Sequence, residues 1–171
     1  MDYRQLCAQI ESLAQEERHY VSLLANASAL IWQAMDGLNW AGFYLMREGQ
    51  LCLGPFQGKT ACIHIPVGRG VCGAAVREDR TQRVPDVHAF PGHIACDGAS
   101  RSEIVVPLRQ NGRVVGVLDI DSPLPDRFSE DDQAGLEAVA RVLETVMEFR
   151  QQAAGSAAAM PGPFDIPRNT H

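Results

Sequence analysis

SEIVVPLRQNGRVVGVLDID, residues Ser102 to Asp121, carries β-branched residues on both sides of a central Asn111-Gly112 pair. Asn-Gly supplies the two left-handed backbone positions of a tight primed turn, so the pattern predicts an antiparallel hairpin. Upstream, WAGFYLM from Trp40 and QLCLGPF from Gln50 are short strands joined across Glu48-Gly49, and CIHIPV from Cys62 is a third. Further out the period changes from two to three-and-four. Leu6, Ile10 and Leu13, then Tyr20, Val21, Leu24, Ser28, Ile31 and Met35, predict two core-facing helices ending near Gly37. Downstream, Ser129 is placed as an N-cap with Asp132 three residues on, and Leu136, Val139, Ala140, Leu143 and Met147 share one face of a long last helix. Helices at both ends of a meander and a hairpin predict an α+β domain, a central antiparallel sheet flanked by N- and C-terminal helices. Residues 1–150 read as one domain, and 151–171, small residues mixed with prolines, as a loose tail.

The 171 residues are 46% hydrophobic and 21% charged, enough apolar material for one real core. A net charge of -6 and the absence of any basic run argue against a nucleic-acid partner. The N-terminus lacks a signal-peptide core, and no segment is long enough to span a bilayer, so a cytoplasmic location is expected. In that reducing setting the five cysteines, Cys7, Cys52, Cys62, Cys72 and Cys96, are expected to be buried, metal-bound or redox-active, not static staples. Cys7 beside Leu6 and Cys52 between Leu51 and Leu53 read as small hydrophobes.

Two motifs invite functions that their context does not support. Gly68 to Gly73, GRGVCG, satisfies the dinucleotide fingerprint G-x-G-x-x-G, but there is no repeated βαβ unit around it. It reads as a loop leading into a short helix. Cys62, Cys72, His93 and Cys96 offer soft donors, yet they lack the two close pairs of a structural zinc site. No metal and no cofactor are expected.

Cys96 lies in GHIACDGAS, where Gly92, Ala95, Gly98, Ala99 and Ser100 leave the backbone uncrowded, as approach of a small ligand requires. An inert loop thiol is the rival reading. Asp119 and Asp121, two apart on one strand, leave the same face of a segment that otherwise reads as sheet interior. They either mark where the strand surfaces or belong to a site. A strict two-residue turn at Asn111-Gly112 would place Glu103 opposite Ile120, on the face away from the aspartates. A bulge or an equivalent twist is therefore expected to reunite the three acids. Three carboxylates in one pocket cannot all ionise cheaply, so one holds a proton while the others attract an ammonium group. Trp40 and Tyr44, four apart on one strand, are placed as flat apolar walls of that pocket, with core aromatics as the alternative.

WAGFYL, GPFQGKTACIHIPVGRGVCGAAV, DVHAFPGHIACDGASRSEIVVPL and GVLDIDSPLPDRFSEDD closely resemble the free methionine-(R)-sulfoxide reductases, enzymes built on a GAF domain. The likeness covers about residues 17 to 149, without gaps from Trp40 to Asp132. It implies a GAF-like fold and reduction of free L-methionine-(R)-sulfoxide, with the stereochemical preference resting on the resemblance. It also implies residue roles. Cys96 matches the cysteine that attacks the sulfoxide sulfur and becomes a sulfenic acid, Cys62 the resolving cysteine that condenses with it, and Cys72 a third, secondary cysteine. Glu103, Asp119 and Asp121 match acids that hold the substrate amine and assist at the sulfoxide oxygen, and Trp40 and Tyr44 match pocket aromatics. Thioredoxin is the implied reductant and a homodimer the implied assembly, although apolar helix stripes serve an intramolecular core equally well. The competing expectations are a non-catalytic GAF sensor and a thiol redox switch. A redox switch would need the cysteines but not the acids.

Overall fold

The computed structural model describes residues 1–93 and 98–148. Two helices open the chain, α1 (Tyr3–Glu16) and α2 (Tyr20–Ala34). Then follow β1 (Trp40–Arg47), β2 (Gln50–Gly58), β3 (His64–Pro66), α3 (Gly70–Glu78) and β4 (Gln82–Val84). A single 3-10 turn at Val87–Ala89, β5 (Ser102–Gln110), β6 (Arg113–Ser122) and α4 (Glu130–Val146) complete the described chain. Both tight hairpins have the expected left-handed pairs, Glu48 and Gly49 at φ 51° and 81°, Asn111 and Gly112 at 52° and 72°. At α4, the Ser129 side chain accepts the Asp132 backbone N–H at 3.1 Å while Asp132 Oδ2 accepts the Ser129 N–H at 2.9 Å, a full capping box.

The six strands form one antiparallel sheet in the order β3-β2-β1-β6-β5-β4, so the hairpin arms β5 and β6 lie in its interior. Side-chain alternation divides the sheet into two apolar faces. Ala41, Phe43, Ile104, Val106, Leu118 and Ile120 point to one side, where they pack with Leu6 and Ile10 of α1, Leu24 and Ile31 of α2, and Leu136, Val139 and Leu143 of α4. Trp40, Tyr44, Val105 and Val117 point to the other, where they meet Val71, Cys72 and Ala75 of α3 together with Leu51 and Ile65. A sheet covered on both faces needs no polar alternation, which is why β5 is buried from Ser102 through Leu108.

The expected bulge is present. Gln110 pairs with Arg113 and Arg109 with Val114, but Leu108 pairs with Gly116, so β6 holds one extra residue at Val115. From there to the far end of the ladder the register is displaced by one, and Glu103 faces Asp121 instead of Ile120. Three expectations need correction or addition. Val21 was placed on the core stripe of α2 but is 44% exposed, because the buried side of that helix runs through Leu23, Leu24, Ala27 and Ile31. The sheet is flanked by helices on both faces, with α3 alone opposite the terminal helices. The short strand β4 and the 3-10 turn were not foreseen. Gln82-Arg83-Val84 is too short and polar to show a period, and pairing with Ile104 and its neighbours makes it a strand. The proposed tail, 151–171, lies outside the described residues.

Candidate active site

Trp40, Tyr44, Cys72, Glu103, Asp119 and Asp121 line one cavity between the sheet and the N-terminal end of α3. Strand pairing places them. Asp121 sits between Trp40 of β1 and Glu103 of β5, while Asp119 sits between Gly42 and Val105. Gly42, which lacks a side chain, lets Phe56 and Pro55 of β2 pack close to β1 at the position paired with Asp119. Trp40 stacks on Tyr44 with ring centres 5.7 Å apart and on Phe56 at 5.2 Å, forming a flat wall. Their polar ends hold the β2–β3 loop: Trp40 Nε1 donates to the Lys59 carbonyl at 3.1 Å and Tyr44 OH to the Cys62 carbonyl at 3.0 Å.

The glycine motif that resembled a dinucleotide fingerprint has a local purpose. Gly68 and Gly70 take φ of 83° and 62°, and a Cβ on Gly73 would lie 2.5 Å from the Pro66 carbonyl oxygen. The three glycines therefore fold the chain tightly into α3. The Gly68 N–H donates to the Gly73 carbonyl at 2.8 Å, and Gly70 and Val71 at the helix start face the cavity. Arg69 caps α3 without a side-chain bond to the helix and also lines the cavity.

Glu103 and Asp119 are each 6% exposed. Burial, then the charges of Asp119 and Asp121, push the Glu103 carboxyl well above its ordinary range, and its hydrogen bond to Asp119 adds to the shift. Burial raises Asp119 to about 7, against the opposing hydrogen bonds it accepts from Cys72 and Glu103. Burial thus keeps a proton on Glu103, shared with Asp119. Cys72 is buried and its thiol is pushed far up, by desolvation first and by Asp119 and Glu103 next, so it is a protonated donor and not a nucleophile. Tyr44 is likewise raised by burial and the same acids, and keeps its phenolic proton.

His93 Nε2 lies 3.9 Å from Glu103 Oε2. Burial, then the charge of His88, depresses His93, so at neutral pH this contact joins a neutral imidazole to a protonated acid and is no ion pair. Arg69, His93, Thr60, Ala61 and Ser100 complete a lining whose roles were not read from the sequence. Their one available signal was position, since each adjoins a cysteine-bearing loop or the α3 start. Cys62 is engaged in a disulfide, whereas Cys7, Cys52 and Cys72 are free thiols. Cys7 is half-buried against the helical core, as expected of a small hydrophobe. Cys52 differs: it is half-buried with Sγ 3.3 Å from His64 Nδ1. Cys96, expected to be the nucleophile, lies outside the described residues.

The arrangement offers an apolar slot, two carboxylates for an ammonium group, and a retained acidic proton. The GAF domain profile matches residues 8–147. Over 148 residues the chain is 52% identical to Protein YtsP of Bacillus subtilis (strain 168), covering 85% of this chain and 91% of that protein. It is 50% identical over 145 residues to the free methionine-R-sulfoxide reductase of Escherichia coli (strain K12), covering 85% and 88%. Among solved structures, free methionine-R-sulfoxide reductase from Neisseria meningitidis in complex with its substrate superposes with a TM-score of 0.81 at 48% identity, over 84% of this chain and 87% of that one.

Proposed function

Because the chain belongs to the GAF-domain family, in its group of free methionine-R-sulfoxide reductases, we propose that it reduces free L-methionine-(R)-sulfoxide to methionine. The observation that carries this reading is the convergence of Glu103, Asp119 and Asp121 under the Trp40–Tyr44 wall. Asp119 and Asp121 take the substrate ammonium, the aromatic wall takes the methyl group of the sulfoxide end, and Arg69 with the α3 start takes the α-carboxylate. A pocket that grips both charged ends of an amino acid excludes methionine within a polypeptide.

In this reading the Cys96 thiolate attacks the sulfoxide sulfur while Glu103 delivers its proton to the oxygen. The hydroxyl then passes from the substrate sulfur to Cys96 Sγ as the S–O bond and the newly formed S–S bond break, so methionine leaves and Cys96 is oxidised to a sulfenic acid that carries the oxygen. The Cys62 thiol then displaces that oxygen as water, forming a disulfide. The disulfide state of Cys62 and the free state of the other three described cysteines support this pairing. A dithiol protein, thioredoxin in this proposal, returns both cysteines to thiols in a cytoplasmic setting and is itself oxidised. Cys72 is a secondary thiol here, because its proton is held by burial beside two acids.

The test is methionine release from separate R and S epimers with a dithiol reductant, comparing native protein with Cys96→Ser. Turnover of the R epimer alone, lost in the variant, is expected. If neither epimer is reduced, the reading fails, and a ligand-binding GAF sensor takes its place.

A further inference from the structure

Outside its use for an ammonium group, the floor of the cavity has the donor set of a cation site. Cys72 Sγ and carboxylate oxygens of Glu103 and Asp119 all lie within 4.8 Å of one another, and all three residues are buried. Asp119 Oδ1 is enclosed and has no hydrogen-bond partner among the described residues, and Asp119 is only 6% exposed. A buried carboxylate oxygen left unpaired is costly, and it marks a place built for something absent from the chain itself. This donor set differs from the Cys62, Cys72, His93 and Cys96 group weighed from sequence spacing.

We propose that this pocket binds a zinc-class divalent cation through Cys72, Glu103 and Asp119, and that the cation and the substrate ammonium exclude one another. One thiolate with two carboxylates suits zinc, cadmium or cobalt and is too few and too soft for calcium or magnesium. Donors around tetrahedral zinc stand about 3.5 Å apart, a spacing inside the 4.8 Å that spans these three donor atoms, and water fills the fourth position. The thiol proton of Cys72 and the proton shared by the acids pass to solvent as the metal enters. No oxidation state changes. The metal is an inhibitor in this scheme, since it occupies the carboxylates the amine needs; that consequence rests on the function proposed above, whereas the binding itself does not.

The experiment is a cobalt(II) titration of the full chain in its disulfide form, where Cys7, Cys52 and Cys72 are the free thiols among the described residues. One cobalt per chain with thiolate-to-metal charge-transfer absorption is expected, bleached by zinc and reversed by excess free methionine. Cys72→Ser should abolish the absorption and Asp119→Asn should weaken binding at least tenfold. Cys52→Ser should change nothing, which separates this site from the Cys52–His64 pair. Absorption that is absent from native protein, survives Cys72→Ser, or disappears in Cys52→Ser overturns the proposal. If Cys72→Ser does not fold, unchanged cobalt affinity in Asp119→Asn overturns it equally. Failure to bind cobalt leaves methionine sulfoxide turnover untouched, so the two readings are judged separately.

Discussion

At the scale of single residues, the site is governed by one proton distributed between two buried acids. Glu103 lies well above the ordinary carboxyl range and Asp119 near 7, both through burial first. Glu103→Gln keeps the shape and a hydrogen-bond donor but cannot give up a proton. Its kcat for methionine sulfoxide should fall by about 10²-fold or more, the scale of a lost general acid, while peroxide should still oxidise the cysteines to a disulfide. Retained turnover would remove Glu103 from the chemistry; loss of disulfide formation with peroxide would make it a structural residue. The same acids set a pH dependence. A carboxyl raised from 3.8 to about 7 on folding contributes stability that is full below the lower value and lost as pH climbs through the higher one. Thermal scans of the ligand-free protein should therefore show Tm falling between about pH 4 and pH 7, and Asp119→Asn should flatten that decline.

The elements act through register. Val115, the extra residue of β6, moves Glu103 from the helical face to the cavity face by displacing the ladder one position. Its effect is felt only beyond the bulge, because Arg109 and Gln110 still pair as the tight turn dictates. On the neighbouring strand, Gly42 allows β1 and β2 to approach where their own register shifts: a Cβ there would collide with Phe56 Cβ and lie 2.8 Å from the Pro55 carbonyl oxygen. Gly42→Ala should cost about 1–3 kcal/mol in denaturant unfolding through overpacking and should also weaken methionine binding, as Phe56 is pushed against Trp40. Stability unchanged from native would show that the strands part without strain. At the start of α4, Ser129→Ala removes the cap acceptor of Asp132 N–H and should cost about 1 kcal/mol, with no change in activity beyond that due to unfolding.

For the whole molecule, the sheet is a partition. Its helical face, with Phe43, Ile104 and Leu118 against α1, α2 and α4, holds the domain together, and its other face carries the cavity under α3. Ligand binding is thus coupled to protonation on one side with the main core on the other. Ammonium binding favours ionised Asp119, so calorimetric titration with free methionine should show affinity rising from pH 5 to pH 7 with proton release on binding. Affinity that is flat across this range would mean the amine does not meet the aspartate. Among the described residues no helix is long and apolar enough to cross a membrane.

The order of most elements followed from local rules alone. Asn111-Gly112 fixes a hairpin, Ser129 with Asp132 fixes a helix start, and Leu136, Val139, Ala140 and Leu143 fix the face that is buried, because each signal is complete within a few residues. Counting register from a strict two-residue turn also puts Glu103 on the face away from the aspartates, so that a bulge or an equivalent twist is needed to join them, and the bulge at Val115 supplies it. Resemblance of the motifs pointed to the reductase family and supplied the expected roles of the cysteines, which spacing alone did not reach. Val21 was misplaced because two adjacent helical faces of α2 are apolar and only packing against the sheet chooses between them. The contributions of Arg69, Thr60 and His93, the tying of the Cys62 loop by Trp40 and Tyr44, and the burial that keeps a proton on Glu103 and Cys72 required tertiary structure. Local patterning depends on a residue's own neighbours in the chain, whereas burial and electrostatic coupling depend on groups tens of residues away, and these are brought together only when the two faces of the sheet are covered.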